Sequence, residues 1–197
     1  MTQALSINKF GGANIEKMDK VREIVKILKQ QGEKPVLIVS AFKGVTNALI
    51  NALEELNKKG KKYSESDIDV AYSSVKSLHE NIIKQFFPEP TQAQQIRNTY
   101  EEHYRSLRDL LLTHRNQPHL LQPVAGSYQI YDDVIAFGER MACLFFEQYC
   151  NKDSLKTSFI KSVTCQGLEE SDDIASVDDI HRSIRLGIKQ VFSALDG

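Results

Sequence analysis

Apolar residues change their spacing along the 197-residue chain, and each change marks an element. A short apolar run (Ala4, Leu5, Ile7) leads into Lys9-Phe10-Gly11-Gly12, which predicts a strand closing on a glycine turn. Ile15, Met18, Val21, Ile24, Val25 and Leu28 then recur at helical spacing with Lys and Glu between them. Next, "PVLIVSA" (35–41) is continuously apolar, the pattern of a strand covered on both faces and hence of a parallel sheet. Strand, glycine turn, helix and strand make a βαβ unit with a right-handed crossover, so the fold class is α/β.

The centre of the chain reads differently. From about Asp67 to His114 the period is helical, with Val75, Leu78, Ile82 and Phe86 in one stripe and Tyr100, Leu107 and Leu111 in another. "PEP" (88–90) separates the two, because proline lacks the amide a continuing helix needs. This predicts a helical insertion at about 64–118. A third long helix follows Gly126-Ser127 and carries Tyr131, Val134, Ile135, Ala142, Phe145 and Phe146. "KTSFIKSV" (156–163) predicts another strand, and a last helix runs from about Val177 to Ala194.

Charge and composition exclude more than they identify. Lys plus Arg (25) balance Asp plus Glu (26), which argues against a general nucleic-acid binder. The basic cluster Lys58-Lys59-Gly60-Lys61-Lys62 falls where a helix should end, and complementing that helix dipole is its plainer role. No stretch approaches the ~20 apolar residues of a bilayer span, and the start lacks the pattern of a signal peptide. Cys143, Cys150 and Cys165 form no metal-type pair, and Cys143 and Cys150 lie about 10 Å apart along one predicted helix, too far to bridge. Free thiols and a cytoplasmic location are expected. The five histidines show no metal-ligand spacing and mostly fall on polar helical faces, which predicts that they are solvated. The acidic stretch "EESDD" (169–173) reads as a charged loop before a helix.

Three segments could carry chemistry. In "KFGG", Gly11 and Gly12 would let backbone amides approach an anion, the next helix would add its dipole, and Lys9 would supply charge for phosphate oxygens. By spacing alone an empty turn is the plainer reading. This is not the P-loop pattern, since the lysine precedes the glycines. "SAFKGVTN" (40–47) lies at the carboxyl end of a buried strand, where open α/β sheets bind ligands. Ser40, Thr46 and Asn47 offer hydroxyl and amide groups there, although Thr46 could instead cap the following helix. In "FGERMA" (137–142), Glu139 lies mid-helix among apolar neighbours, and a buried carboxylate needs a partner. The plainer reading is a salt bridge with a nearby lysine or with Arg140, or simple exposure; the sharper one is a site carboxylate that receives the ammonium group of a substrate.

Taken together and in this order, "KFGG", "VSAFKGVTN", a helical excursion and "FGERMA" resemble aspartate kinase over nearly the whole chain, from about Leu5 to Leu195. The resemblance implies an amino-acid kinase fold, an αβα sandwich around a mainly parallel sheet, here incomplete. It implies phosphorylation of the L-aspartate β-carboxylate by ATP with Mg2+, the first step toward lysine, threonine and methionine. By matching position, Lys9 would stabilise the transferring phosphoryl group and Gly11 and Gly12 would line the phosphate site. Thr46 and Glu139 would contact aspartate, Glu139 through the ammonium group, with Ser40 nearby. No protein metal ligand is implied.

Two departures matter. The Thr-Ser that follows the glycines in the family is Ala13-Asn14 here, so a methyl and an amide replace two hydroxyls. The family's G-R-G-G-S-D segment, which supplies an arginine for the aspartate carboxylate and an acidic catalytic residue, has no match. The expectation is therefore an aspartate-binding half that is inactive alone, with homo-oligomerisation or association through an exposed sheet edge. Fusion to homoserine dehydrogenase is a family alternative. The competing reading is a non-catalytic short homologue that binds an amino acid or pairs with a full-length kinase.

Overall fold

The computed structural model describes residues 4–60, 63–122 and 130–152. The chain divides into two compact units, and every described residue belongs to the first (Met1–Pro123 with Gln129–Thr157). The strand expected at 156–163, the acidic stretch at 169–173, Cys165 and the last helix all lie outside the described residues.

The first strand, β1 (Ala4–Phe10), pairs in parallel with β2 (Glu33–Val39). In their register Lys9 stands opposite Ile38 and Phe10 opposite Val39, so the two carboxyl ends are level. Ser40 continues the ladder by one bond, its amide donating to the Phe10 carbonyl at 3.0 Å. The crossover holds two helices where one was expected from about Ile15. A single turn, α1 (Gly12–Ile15), ends at Glu16, and α2 (Met18–Gln30) follows from Lys17. In α2, Met18, Val21 and Val25 are buried at helical spacing, with Asp19 in the first turn and Lys29 in the last, both matching the helix dipole.

The pattern misplaced part of this unit. Ile24 faces outward rather than into the core, as does Ile27 one turn later. Strand β2 is not covered on both faces either: Ile38 is 51 % exposed, and Ile7 on the same face of β1 is 54 % exposed. Phe10 and Val39 on the opposite face are buried.

Helix α3 (Val45–Lys59) starts at Gly44, whose φ of +84° few residues other than glycine adopt without strain. Its buried face carries Val45, Leu49, Ala52, Leu53 and Leu56, and Lys58 and Lys59 close its last turn as the basic cluster predicted. Three more helices follow: α4 (Glu65–Ala71), α5 (Ser73–Phe86) and α6 (Pro90–Thr113). A capping box starts α4, with the Ser64 hydroxyl accepting from the Asp67 amide and the Asp67 carboxylate accepting from the Ser64 amide. Pro90 sits in the first turn of α6, where its missing amide costs no hydrogen bond. After a 3-10 turn at Pro118–Leu121, α7 (Ile130–Asn151) packs against α2, α3, α6 and β2.

One histidine departs from the solvated expectation. His79 is fully buried, with Phe42, Tyr100, Phe137 and Phe145 around its ring at centroid distances of 5.1–6.3 Å. Val75, His79, Ile82, Ile83 and Phe86 form the buried face of α5, so the histidine occupies a core position by helical period. Neither ring nitrogen has a hydrogen-bond partner. Burial accordingly lowers its pKa from 6.5 to about 4, opposed more weakly by the Val75 carbonyl one turn earlier.

Candidate active site

The level strand ends bring the two glycine-containing segments against each other. A Cβ on Gly12 would stand 2.6 Å from the Ala41 carbonyl oxygen and 3.3 Å from the Lys43 amide nitrogen. Only glycine lets the β1 turn lie this close to the β2–α3 loop. Lys9 is exposed, and its Nζ lies 3.8 Å from where a Cβ on Gly11 would be, so the ammonium folds over the glycine turn. The amides that open α1 have no acceptor within that helix. With a single turn behind them, they contribute local N–H groups rather than the longer helix dipole the sequence led us to expect.

The β2–α3 loop is anchored by two buried residues, Ala41 and Phe42. Its sharp entry into α3 is fixed by Gly44 and by the Val45 amide donating to the Phe42 carbonyl at 3.1 Å. Thr46 does not cap this helix: Gly44 is the capping residue, and no side chain bonds there. The Thr46 hydroxyl, half-buried in the first turn, therefore has no structural duty as a cap. Ser40 is also half-buried, held through its main chain by β1.

Helix α7 closes in on the same loop. A Cβ on Gly138 would lie 2.9 Å from the Ala41 Cβ, 3.0 Å from Val45 Cγ1 and 3.3 Å from Leu49 Cδ1. The next residue is Glu139, whose Oε2 is buried and without a hydrogen-bond partner. Arg140, the adjacent cation, turns away to Asp133. One turn on, burial chiefly, and then the charges of Glu139 and Glu147, push the Cys143 thiol up to about 11, which favours its protonated form.

The structure thus brings Gly11, Gly12, Ser40, Thr46 and the Gly138-Glu139 step to one region at the carboxyl edge of the sheet. No hydrogen bond or ion pair joins Lys9, Thr46 and Glu139 to one another among the described residues. Two small residues, Ala41 and Gly138, carry the convergence and were missed as site-forming positions. The paired glycine contacts around Ala41 are their signal, but such contacts exist only in three dimensions. A cleft of about 520 Å³ elsewhere, between α5 and α6, holds none of these residues. Its best cation is already neutralised, Arg97 donating to both oxygens of Glu80 at 2.7 and 3.0 Å. No helix among the described residues is long and apolar enough to cross a membrane.

The chain is similar to known proteins. The aspartokinase of Rickettsia bellii is 35 % identical over 74 residues, covering 36 % of this chain and 18 % of that protein. Aspartokinase 2, chloroplastic, of Arabidopsis thaliana is 28 % identical over 147 residues, covering 74 % of this chain and 24 % of that one. Among solved structures, E. coli aspartokinase III in complex with lysine and aspartate (T-state) superposes with a TM-score of 0.53 at 18 % identity. That match covers 79 % of this chain and 30 % of the enzyme, so the chain spans under a third of the relatives it resembles. The family model described as "Amino acid kinase family" matches residues 5–197. With a glycine turn on a parallel strand end facing a second strand-end loop and a carboxylate-bearing helix, this chain belongs to the amino acid kinase family.

Proposed function

We propose that the chain forms the aspartate-side half of an aspartate kinase, within an αβα sandwich of which 64–118 is a helical insertion. The reaction is attack of an L-aspartate β-carboxylate oxygen on the γ-phosphorus of ATP, with ADP leaving and aspartyl phosphate formed, the first step toward lysine, threonine and methionine. The observation that carries this reading is the orphaned Glu139 Oε2 beside a glycine-packed strand-end loop. A buried carboxylate oxygen with no partner is costly, and a substrate ammonium would supply both charge and donor. Thr46 and Ser40 would offer hydroxyls to the acceptor. Lys9 and the Gly11–Gly12 amides would meet the phosphoryl oxygens, where positioning and charge neutralisation do most of the work.

ATP fits the turn in one respect: Gly11 leaves no Cβ beside the Lys9 ammonium, whose Nζ lies 3.8 Å from where one would be. Mg2+ would arrive on the nucleotide phosphates. The family's G-R-G-G-S-D segment has no match in this sequence, and the matches cover 18–30 % of the relatives and the solved enzyme. The 197-residue polypeptide is therefore expected to bind aspartate in the cytoplasm without turning it over.

A second reading rests on the open sheet face of Ile7 and Ile38. There the chain would be a non-catalytic homologue that binds an amino acid and associates with itself or with a full-length kinase. Titration calorimetry with aspartate, run beside a hydroxamate assay for aspartyl phosphate, separates these ideas. Binding without turnover supports the half-site, robust turnover overturns inactivity alone, and no aspartate binding removes the aspartate reading.

A further inference from the structure

Ala41 is clamped from two sides. Its carbonyl oxygen packs under Gly12 of the phosphate-end turn, and its Cβ packs against Gly138 of α7, the residue before Glu139. Both contacts are at the limit of approach: a Cβ would be 2.6 Å away on the first side and 2.9 Å away on the second. Ala41 itself is buried, and its neighbours in chain are fixed, Ser40 by the β1 ladder and Phe42 by burial. The loop therefore cannot slide to relieve a change on either side.

We propose that Ala41 is a positioning residue, a one-carbon spacer that sets how far the Glu139 turn of α7 stands from the Gly11–Gly12 turn. On the aspartate reading above, on which this consequence rests, that separation fixes the length of the acceptor. The ammonium end sits at Glu139 and the phosphorylated carboxylate at the glycines. A spacer one carbon thicker moves the two ends apart, toward an acceptor one methylene longer, and pocket discrimination over one methylene is commonly about 10–200-fold.

The test is a double-substitution cycle read in two ways on the same proteins. Gly138→Ala should lower the melting temperature, and Ala41→Gly placed in that background should restore part of it, the residual loss belonging to Val45 and Leu49. Ala41→Gly should not restore Gly12→Ala, because that contact is with a main-chain oxygen every residue carries. Calorimetry with aspartate and glutamate supplies the second reading. Gly138→Ala should reduce the preference for aspartate over glutamate at least about tenfold, and Ala41→Gly should return it. Additive melting temperatures overturn the spacer. Coupled melting temperatures with an unmoved preference ratio overturn its effect on acceptor length. Coupling with no aspartate binding by the unsubstituted chain overturns the aspartate reading, and acceptor length with it, while the spacer stands.

Discussion

Arg140 donates to the main-chain carbonyl of Asp133 at 2.7 Å and holds the Asp133 carboxylate at 3.7 Å, and its sequence neighbour Glu139 has no cation among the described residues. The nearest candidate for neutralising Glu139 is therefore committed within α7. Glu139→Gln keeps the shape of the side chain and removes the charge. Since no native partner is lost, the melting temperature should stay level or rise. Aspartate affinity should fall by about 1.5–3 kcal/mol, the worth of a hydrogen bond to a charged group. Calorimetry and thermal denaturation together check this, and unchanged affinity would remove Glu139 from the site.

The two glycines of the opening turn should respond differently to the same methyl group. At Gly12 a Cβ would meet the Ala41 carbonyl at 2.6 Å, a main-chain atom that cannot rotate away. Gly12→Ala should cost about 1–3 kcal/mol in urea denaturation, the usual range for overpacking. At Gly11 the nearest atom is the flexible Lys9 Nζ at 3.8 Å, and φ is −73°, open to alanine. Gly11→Ala should leave stability within about 0.5 kcal/mol, as most substitutions free of such contacts do. Equal losses at the two positions would contradict the packing described here.

These contrasts show where a linear reading of the chain works and where it stops. The strands β1 and β2 were legible from their apolar runs, and the buried face of α2 from Met18, Val21 and Val25 at helical spacing. Lys9, Thr46 and Glu139 stood out because charged or polar groups interrupt apolar runs. Ala41 had no such signature: its importance comes from Gly12 and Gly138, which reach it from distant parts of the chain. Ile24 and Ile38 fit apolar patterns yet face outward, because period specifies a face without specifying what covers it. His79 failed in the opposite sense, a polar residue type at a position whose helical period was that of the core.

Lys9 should affect phosphate chemistry and little else. Its side chain is exposed over Gly11 and makes no ion pair among the described residues. Lys9→Ala should therefore leave the melting temperature and aspartate affinity of this chain unchanged. In a complete kinase the same substitution should lower kcat much more than it raises the KM for aspartate. Such a split marks an interaction formed mainly with transition-state charge. Matched losses in kcat and aspartate affinity would place Lys9 at the acceptor instead.

His79 should make stability depend on acid. Its neutral form is favoured in the folded protein because Phe42, Tyr100, Phe137 and Phe145 enclose it. Tyr100 is the titratable group among them, and burial holds its phenol well above the usual range and so uncharged. With a folded pKa of about 4 against 6.5 unfolded, the unfolded chain binds the extra proton first as pH falls. The stability is fully present above 6.5, declines through the window, and is lost once pH passes below about 4. A shift of this size corresponds to roughly 3 kcal/mol. Carboxylates also titrate near the lower end, so the comparison is with His79→Leu, which keeps the bulk and removes both unpartnered nitrogens. Above the window the leucine variant should be as stable as the parent or more so, since it buries no unsatisfied polar atom. Between pH 6.5 and 4 the parent should lose roughly 3 kcal/mol more than the variant in urea titrations. Parallel pH profiles would mean that the histidine is protonated, or hydrated, inside the fold.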